Sequence, residues 1–358
     1  MSSLFEEVRL RHLTLKNRLV RSATQDPFGL PDGRVSDGQV ELYRTIAANN
    51  VGMVITAHVC VSPEGRAGAA QNGFYDDSFI AGQSAVAAAI KSGGAAAILQ
   101  ISHAGGSVTP YPGLEDVDLI APVGRALAKG VQPARAMTRA DMDRVRDAFA
   151  AAAARAVEAG FDGVQVHMAH GYLLSQFLNP CTNTRDDIYG GSAEGRFRFP
   201  AEVLAAVRAA VGPDYPVFVK INGNCESGDG EFAEDFLSYV RGMERFGLEG
   251  IEVSGWNFTP LGREGKRTYF LDRALAAAGE TGTPVFPVGG VRSVEDIQRV
   301  LDAGLPLVSM ARPFIAEPDL GTKLLSGQKE SACISCSKCF YLYGREGRRC
   351  VLHPMPEN

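Results

Sequence analysis

Short apolar runs rich in Val and Ile recur along the chain, and stretches with helical spacing separate them. The first, RLVRSA at 18–23, leads into a helical stretch over 37–49. VGMVITA at 51–57 follows, then AAAILQIS at 95–102, preceded by an Ala-rich helical stretch over 77–91. GVQVH at 163–167 comes after a long helical stretch over 139–159, for which Thr138 fits as N-cap and Gly160 as C-terminal stop. PVFVKI at 216–221, GIEVS at 250–254, PVFPV at 284–288 and LVSM at 307–310 complete a set of eight. Several are apolar on both faces, as parallel strands covered on both sides should be. Strands alternating with helices imply parallel β/α units.

Eight such units close naturally into an α/β fold of one kind, a single (β/α)8 TIM barrel. An open doubly wound sheet is the competitor, but it would usually carry a Gly-rich turn straight after its first strand. Here that turn reads SATQDPFG. The expected organisation is a barrel over 1–328 and a cysteine-rich C-terminal extension over 329–358. The stretch 104–135, with Gly, Pro and few periodic apolar positions, reads as an excursion over the barrel mouth.

Composition narrows the function classes. A net charge of −5 over 358 residues, with no clustered run of Lys and Arg, argues against a nucleic-acid partner. The start, MSSLFEEVRLRHLTLKN, lacks a continuous apolar stretch, so it does not read as a signal peptide. No window reaches the roughly 18 apolar residues of a membrane span. The expectation is therefore a cytoplasmic protein with neither membrane nor nucleic acid as partner.

In a barrel of this kind the functional groups sit at the C-terminal ends of the strands. Those ends carry Ser22 and Thr24, Ala57 and His58, Gln100 and His103, then His167, His170 and Tyr172. Lys220, Asn222, Ser254 and Trp256 follow, with Gly289-Gly290 and Ala311-Arg312 on the last two. Backbone N–H groups at the seventh and eighth strand ends can bind a phosphate, with Arg312 one strand over; alternatively the glycines only make a tight turn. His167 and His170 can polarise a carbonyl or anionic oxygen by hydrogen bonding, and a phenol at Tyr172 can donate a proton to a developing carbanion. Two histidines could also hold zinc, although no nearby carboxylate completes a ligand set, or could simply be packed.

The motifs LKNRLVRSAT, QISHAGG, GFDGVQVHMAHGYLLSQFLNPCTNTRDDIYGGSAEGRFRF, VKIN, PVGGVRS and ARPFIAEPDL, in that order, resemble those of the old yellow enzyme family. These are FMN-dependent NAD(P)H:flavin oxidoreductases that include ene-reductases. The resemblance covers nearly the whole chain. It implies FMN across the barrel mouth, with main chain at Ser22, Ala23 and Thr24, together with Ala57, Gln100 and His167, around the ring. Lys220 is implied beside the flavin N1–C2 carbonyl region, and Gly289, Gly290, Ala311 and Arg312 at the phosphate. It further implies His167 and His170 as ligands of a substrate carbonyl oxygen and Tyr172 as proton donor. The implied reaction is reduction of the C=C bond of an α,β-unsaturated carbonyl compound, with NADH or NADPH as reductant and hydride passing from flavin N5. Three departures stand out. Gln25 sits where some members carry a flavin-tuning cysteine, Gly106 where many have arginine, and Gly195 where asparagine is usual.

Four of the seven cysteines crowd into CISCSKCFYLYGREGRRC, as Cys333, Cys336, Cys339 and Cys350. Thiolates at this spacing suit an iron–sulfur cluster or a zinc site, and unliganded thiols are the bland alternative. Longer relatives, dienoyl-CoA reductase and trimethylamine dehydrogenase, have a similar run that binds a 4Fe-4S cluster, followed by further domains that are not expected here. This opens a second enzymatic reading, a flavin dehydrogenase or demethylase that passes electrons through the cluster to a partner protein. A third reading is a non-catalytic barrel used for binding. The partners expected are a small-molecule unsaturated carbonyl substrate, an electron-transfer protein in the second reading, and further copies of the chain if it forms a homo-oligomer.

Overall fold

The computed structural model describes residues 2–125, 131–225, 230–342 and 348–354. Eight parallel strands form the barrel wall: β1 (Leu19–Arg21), β2 (Met53–Ile55), β3 (Ala96–Ser102), β4 (Gly163–Met168), β5 (Val217–Asn222), β6 (Gly250–Ser254), β7 (Val285–Pro287) and β8 (Val308–Met310). Each pairs with its neighbour in parallel, β8 returns to β1, and a bridge between Val288 and Ser309 closes the wall. The first, second, seventh and eighth strands are shorter than the apolar runs that announce them. One extra pair, Val59–Cys60 beside Ile101–Ser102, prolongs the wall above β2 and β3.

Strand alternation sends the apolar residues of the barrel wall into two regions. Outward residues such as Val54, Leu99, Val164, Val219, Ile251 and Val308 pack beneath the helices in one large core. Inward residues Val20, Met53, Ile55, Ile98, Phe218, Phe286 and Leu307 fill the lower barrel, where Val8, Leu10 and Leu15 join them. Those last three come from an antiparallel hairpin, Val8–Arg9 with Thr14–Leu15, that plugs the floor. Glu249 fixes the hairpin by accepting from the His12 and Leu13 N–H groups at 2.8 and 2.9 Å.

The helices between strands include α1 (Asp37–Ala48), α2 (Ile80–Ser92), α3 (Arg139–Glu158), α4 (Ala193–Val211), α5 (Gly230–Met243), α6 (Leu271–Ala278) and α7 (Val294–Asp302). Thr138 caps α3 in a full capping box with Asp141, and Ser293 caps α7 in the same way with Asp296. Gly160 follows α3 at φ +82°, the left-handed stop that glycine tolerates best. Among its described residues the stretch after β3 is irregular, as its composition predicts, apart from a 3-10 turn at Leu114–Asp116 and a short parallel pair, Ile120–Ala121 with Arg135–Ala136. Among the described residues no helix is long and apolar enough to cross a membrane.

Ser331 and Ala332 lie against the barrel. Ser331 N–H donates to the Arg292 carbonyl, and buried Glu317 accepts from Ser331 Oγ and Ala332 N–H.

Candidate active site at the barrel mouth

Above the apolar floor the inward positions turn polar. Gln100 on β3 donates to Gln165 on β4 at 2.6 Å, and Gln165 donates to Glu252 on β6 at 3.0 Å. Ser309 on β8 donates to the other Glu252 oxygen at 2.5 Å. Lys220 on β5 lies 3.3 Å from Glu252 and donates to Ser22 Oγ at 2.8 Å. Lys220 and Glu252 are both buried. Burial pushes the Lys220 ammonium below the usual lysine range, and the Glu252 carboxylate opposes that shift. Gln165, Glu252 and Ser309 did not emerge from the sequence reading. Their only signal is that they continue the inward alternation that includes Lys220.

One layer higher, the imidazoles and the phenol meet. The His167 ring centroid lies 5.2 Å from that of His170 and 5.1 Å from that of Tyr172. His167 is the next-to-last residue of β4, while His170 and Tyr172 belong to the turn that follows. That turn is held in an unusual shape: His170 has φ +59° and Gly171 φ +74°. A non-glycine residue at positive φ is uncommon and persists where its surroundings fix it. Asn222 on β5 supplies the restraint by accepting the His170 N–H at 3.1 Å. Gly171 is needed for closeness too, since a Cβ there would stand 2.8 Å from the Trp256 ring. His170 Nε2 and Ser254 Oγ are 2.8 Å apart. His167 Nδ1 is buried with no hydrogen-bond partner.

Burial holds both imidazoles well below their ordinary range, and neighbouring His58 and Lys220 add to the effect, so each is neutral at pH 7. Burial also pushes the Tyr172 phenol up to about 12, which keeps it protonated. A third imidazole completes the group. His58, just beyond β2, has its ring centroid 5.0 Å from that of Tyr172 and 6.0 Å from that of His167. The sequence places His58 at a strand end, but nothing in its spacing joins it to Tyr172. Among the described residues no set of three His, Cys, Asp or Glu side chains is arranged to hold a metal ion. His103 stands apart, packed beside Gly65 with Nδ1 accepting the Gly105 N–H. A cleft lined by Gly106, Ser107, Gly171, Asn222, Cys225 and Trp256 opens beside this cluster. Gly195 has a local reason, since a Cβ there would lie 2.0 Å from the Gly190 carbonyl oxygen.

Around β1 and β2 the main chain is partly committed. Ser22 N–H bonds the Met310 carbonyl, Thr24 Oγ1 the Ser22 carbonyl, and Ala57 N–H the Tyr43 hydroxyl at 2.6 Å. Ala23 packs against the barrel interior. At the far side, Gly289 and Gly290 have φ +147° and +75°, and a Cβ on either would come within 2.7 Å of Tyr269 or the main chain beside it. The Tyr269 hydroxyl receives Arg312 Nη2 at 2.6 Å together with the Gly290 N–H. The two donors thus converge on one oxygen, which is what a phosphate oxygen requires, and FMN fits the mouth on that ground. Ala311 precedes Arg312 at the start of a five-residue helix, Arg312–Ala316.

With this geometry in view, comparison with known proteins is direct. The profile of the NADH:flavin oxidoreductase / NADH oxidase family matches residues 3–331. The chain is 34% identical over 335 residues to an NADPH dehydrogenase of Geobacillus thermodenitrificans, covering 90% of this chain and 95% of that protein. The chain belongs to the old yellow enzyme family. By that membership it is an oxidoreductase of the kind that uses FMN with NAD(P)H as reductant. It is also 33% identical over 349 residues to an NADH oxidase of Thermoanaerobacter brockii, covering 94% of this chain but 53% of that protein. A solved structure of 2-naphthoyl-CoA reductase with 2-naphthoyl-CoA superposes with TM-score 0.84 at 26% identity, over 91% of this chain and 52% of that one. The chain thus spans about half the length of several relatives it matches and nearly all of others.

The four cysteines near the C-terminus line one small cavity with Arg312 and Ile315. Three arginines hold the turn that carries them: Arg263 donates to the Cys336 carbonyl, Arg292 to that of Cys333 and Arg312 to that of Ser335, at 3.0–3.3 Å. Arg312 therefore links the cysteine turn to the Tyr269 hydroxyl.

Proposed function

We propose that this family member reduces the C=C bond of α,β-unsaturated carbonyl compounds at the expense of NADH or NADPH. The observation that carries the reading is the meeting of two neutral imidazoles and a protonated phenol in one pocket above a buried lysine. Bound FMN would supply the two-electron chemistry, held at its phosphate by Gly289, Gly290, Ala311 and Arg312. Ser22, Ala23, Thr24, Ala57, Gln100, His167 and Lys220 would surround the ring. His167 and His170 would bind the substrate carbonyl oxygen through N–H groups, stabilising negative charge as it develops there. Tyr172 holds its proton at Oη for the carbon next to the carbonyl. Lys220, kept cationic by Glu252, places positive charge where an electron-rich ring would need it.

Replacing Tyr172 by Phe tests the assignment. Reoxidation of the reduced protein by an enone should slow about a hundredfold or more, the usual worth of a general acid. Reduction by the nicotinamide should stay near normal. Equal losses in both half-reactions would count against the assignment.

The spacing of Cys333, Cys336, Cys339 and Cys350, rather than their present arrangement, favours a second bound group. Thiolates spaced C-x2-C-x2-C-x10-C suit a 4Fe-4S cluster, with structural zinc as the alternative. Iron and zinc analysis of the purified protein, together with absorption beyond the flavin bands, separates the two. A cluster would favour the second reading, in which electrons leave for a partner protein.

A further inference from the structure

One side chain in the pocket has no task in the reading above. His58 is buried, and burial brings its pKa down to about 4, so the ring is neutral and carries one proton. Its neighbours decide which nitrogen holds that proton. The Ala67 N–H can only donate, and it donates to Gln71 Oε1 at 2.6 Å. This fixes the orientation of the Gln71 amide, whose Nε2 therefore faces His58 Nδ1 at 2.6 Å and must donate to it. Ser102 Oγ, 3.0 Å from the same nitrogen, can donate to it or to the Val59 carbonyl. His58 Nδ1 is thus an acceptor, and the proton sits on Nε2. That nitrogen points at the Tyr172 hydroxyl, 3.4 Å away.

We propose that His58 is a positioning residue for the proton donor. Its Nε2–H donates to Tyr172 Oη, turns the phenol's own proton towards the space shared with His167 and His170, and steadies the phenolate left once that proton has gone. The proton passes from Tyr172 Oη to the substrate carbon, His58 keeps its own, and the phenolate regains a proton from water before the next turnover. With Nδ1 capped by Gln71, the ring acts as a fixed donor rather than a relay. The proposal rests on Tyr172 being the proton donor, and the test separates the two ideas.

The test uses the flavin-loaded protein. His58→Phe keeps the ring volume and removes the donor. It should slow reoxidation by an enone about tenfold, the worth of one hydrogen bond to a charged oxygen, with reduction by NADPH within about twofold. In a Tyr172→Phe background the same change should cost under about twofold, because there is no phenol to position. Equal slowing in both backgrounds overturns the proposal and leaves the proton-donor assignment standing. Unchanged reoxidation in Tyr172→Phe alone overturns the assignment itself.

Tyrosine labelled at Cζ gives a readout independent of turnover. His58 and His167 face the Tyr172 phenol, and His170 packs on the far side of His167. In His58→Phe the Tyr172 resonance should titrate at higher pH than in the parent, and an unmoved titration overturns the proposal. If His58→Phe fails to retain flavin, Gln71→Leu combined with Ser102→Ala serves in its place, since either side chain alone can still donate to Nδ1. It uncaps Nδ1, lets the proton move there, and should slow reoxidation with the same dependence on Tyr172; a parent-like rate overturns the proposal.

Discussion

The two sides of the barrel mouth are built on opposite principles. Between β2 and β4 the working surface is made of side chains: His58, His167, His170 and Tyr172 sit in a pocket where burial keeps every ring neutral. Beyond β7 and β8 it is made of backbone and fixed charge, with the Gly290 N–H and Arg312 converging on the Tyr269 oxygen. The first side suits a group whose charge appears only during reaction, since neutral donors do not hold a permanent anion strongly. The second suits a ligand that is anionic throughout, for which permanent cationic and N–H donors are the stronger partners. The Lys220–Glu252 pair lies beneath the mouth, where the polar layer begins.

That contrast can be broken at its base first. Glu252→Ala leaves Lys220 buried without its counter-charge and should destabilise the fold by about 3–5 kcal/mol, read by urea denaturation. A loss under about 1 kcal/mol would mean the layer tolerates an unpaired ammonium. On the phosphate side, Arg312→Ala removes a charged donor worth about 1.5–3 kcal/mol. The apoprotein should bind FMN about ten- to a hundredfold more weakly while its affinity for riboflavin, which lacks the phosphate, stays the same. Equal weakening of both ligands would place Arg312 elsewhere than at the phosphate.

The smallest effect is a dependence on pH. His58 is held at about 4 in the fold and titrates near 6.5 when unfolded, so the unfolded chain binds more protons between those values. The stability it contributes is complete above about pH 6.5 and is lost progressively as pH falls towards 4. At pH 5 the loss should be about 2 kcal/mol for this one ring. His58→Phe should flatten that part of the stability profile, measured by denaturation at pH 5 and 7.

Much of this architecture could be read from the chain. Eight apolar runs, the caps at Thr138 and Ser293, and the stop at Gly160 depend on local rules that sequence displays directly. Gathering the strand ends placed His167, His170, Tyr172, Lys220 and Arg312 around one opening. What escaped depends on contacts between distant segments. The His58–Tyr172 approach spans 114 positions. Tyr269 reaches Gly290 and Arg312 from a loop with no motif of its own. Glu252 looks like any polar position on an alternating strand until the closed wall brings Lys220 and Ser309 to it.

The hairpin held by Glu249 turns the barrel into a vessel with one doorway. In the reading proposed above, nicotinamide and oxidant would then share the opening at the other end. Each would compete with the other for the free site, and excess of either should slow the half-reaction that the other drives.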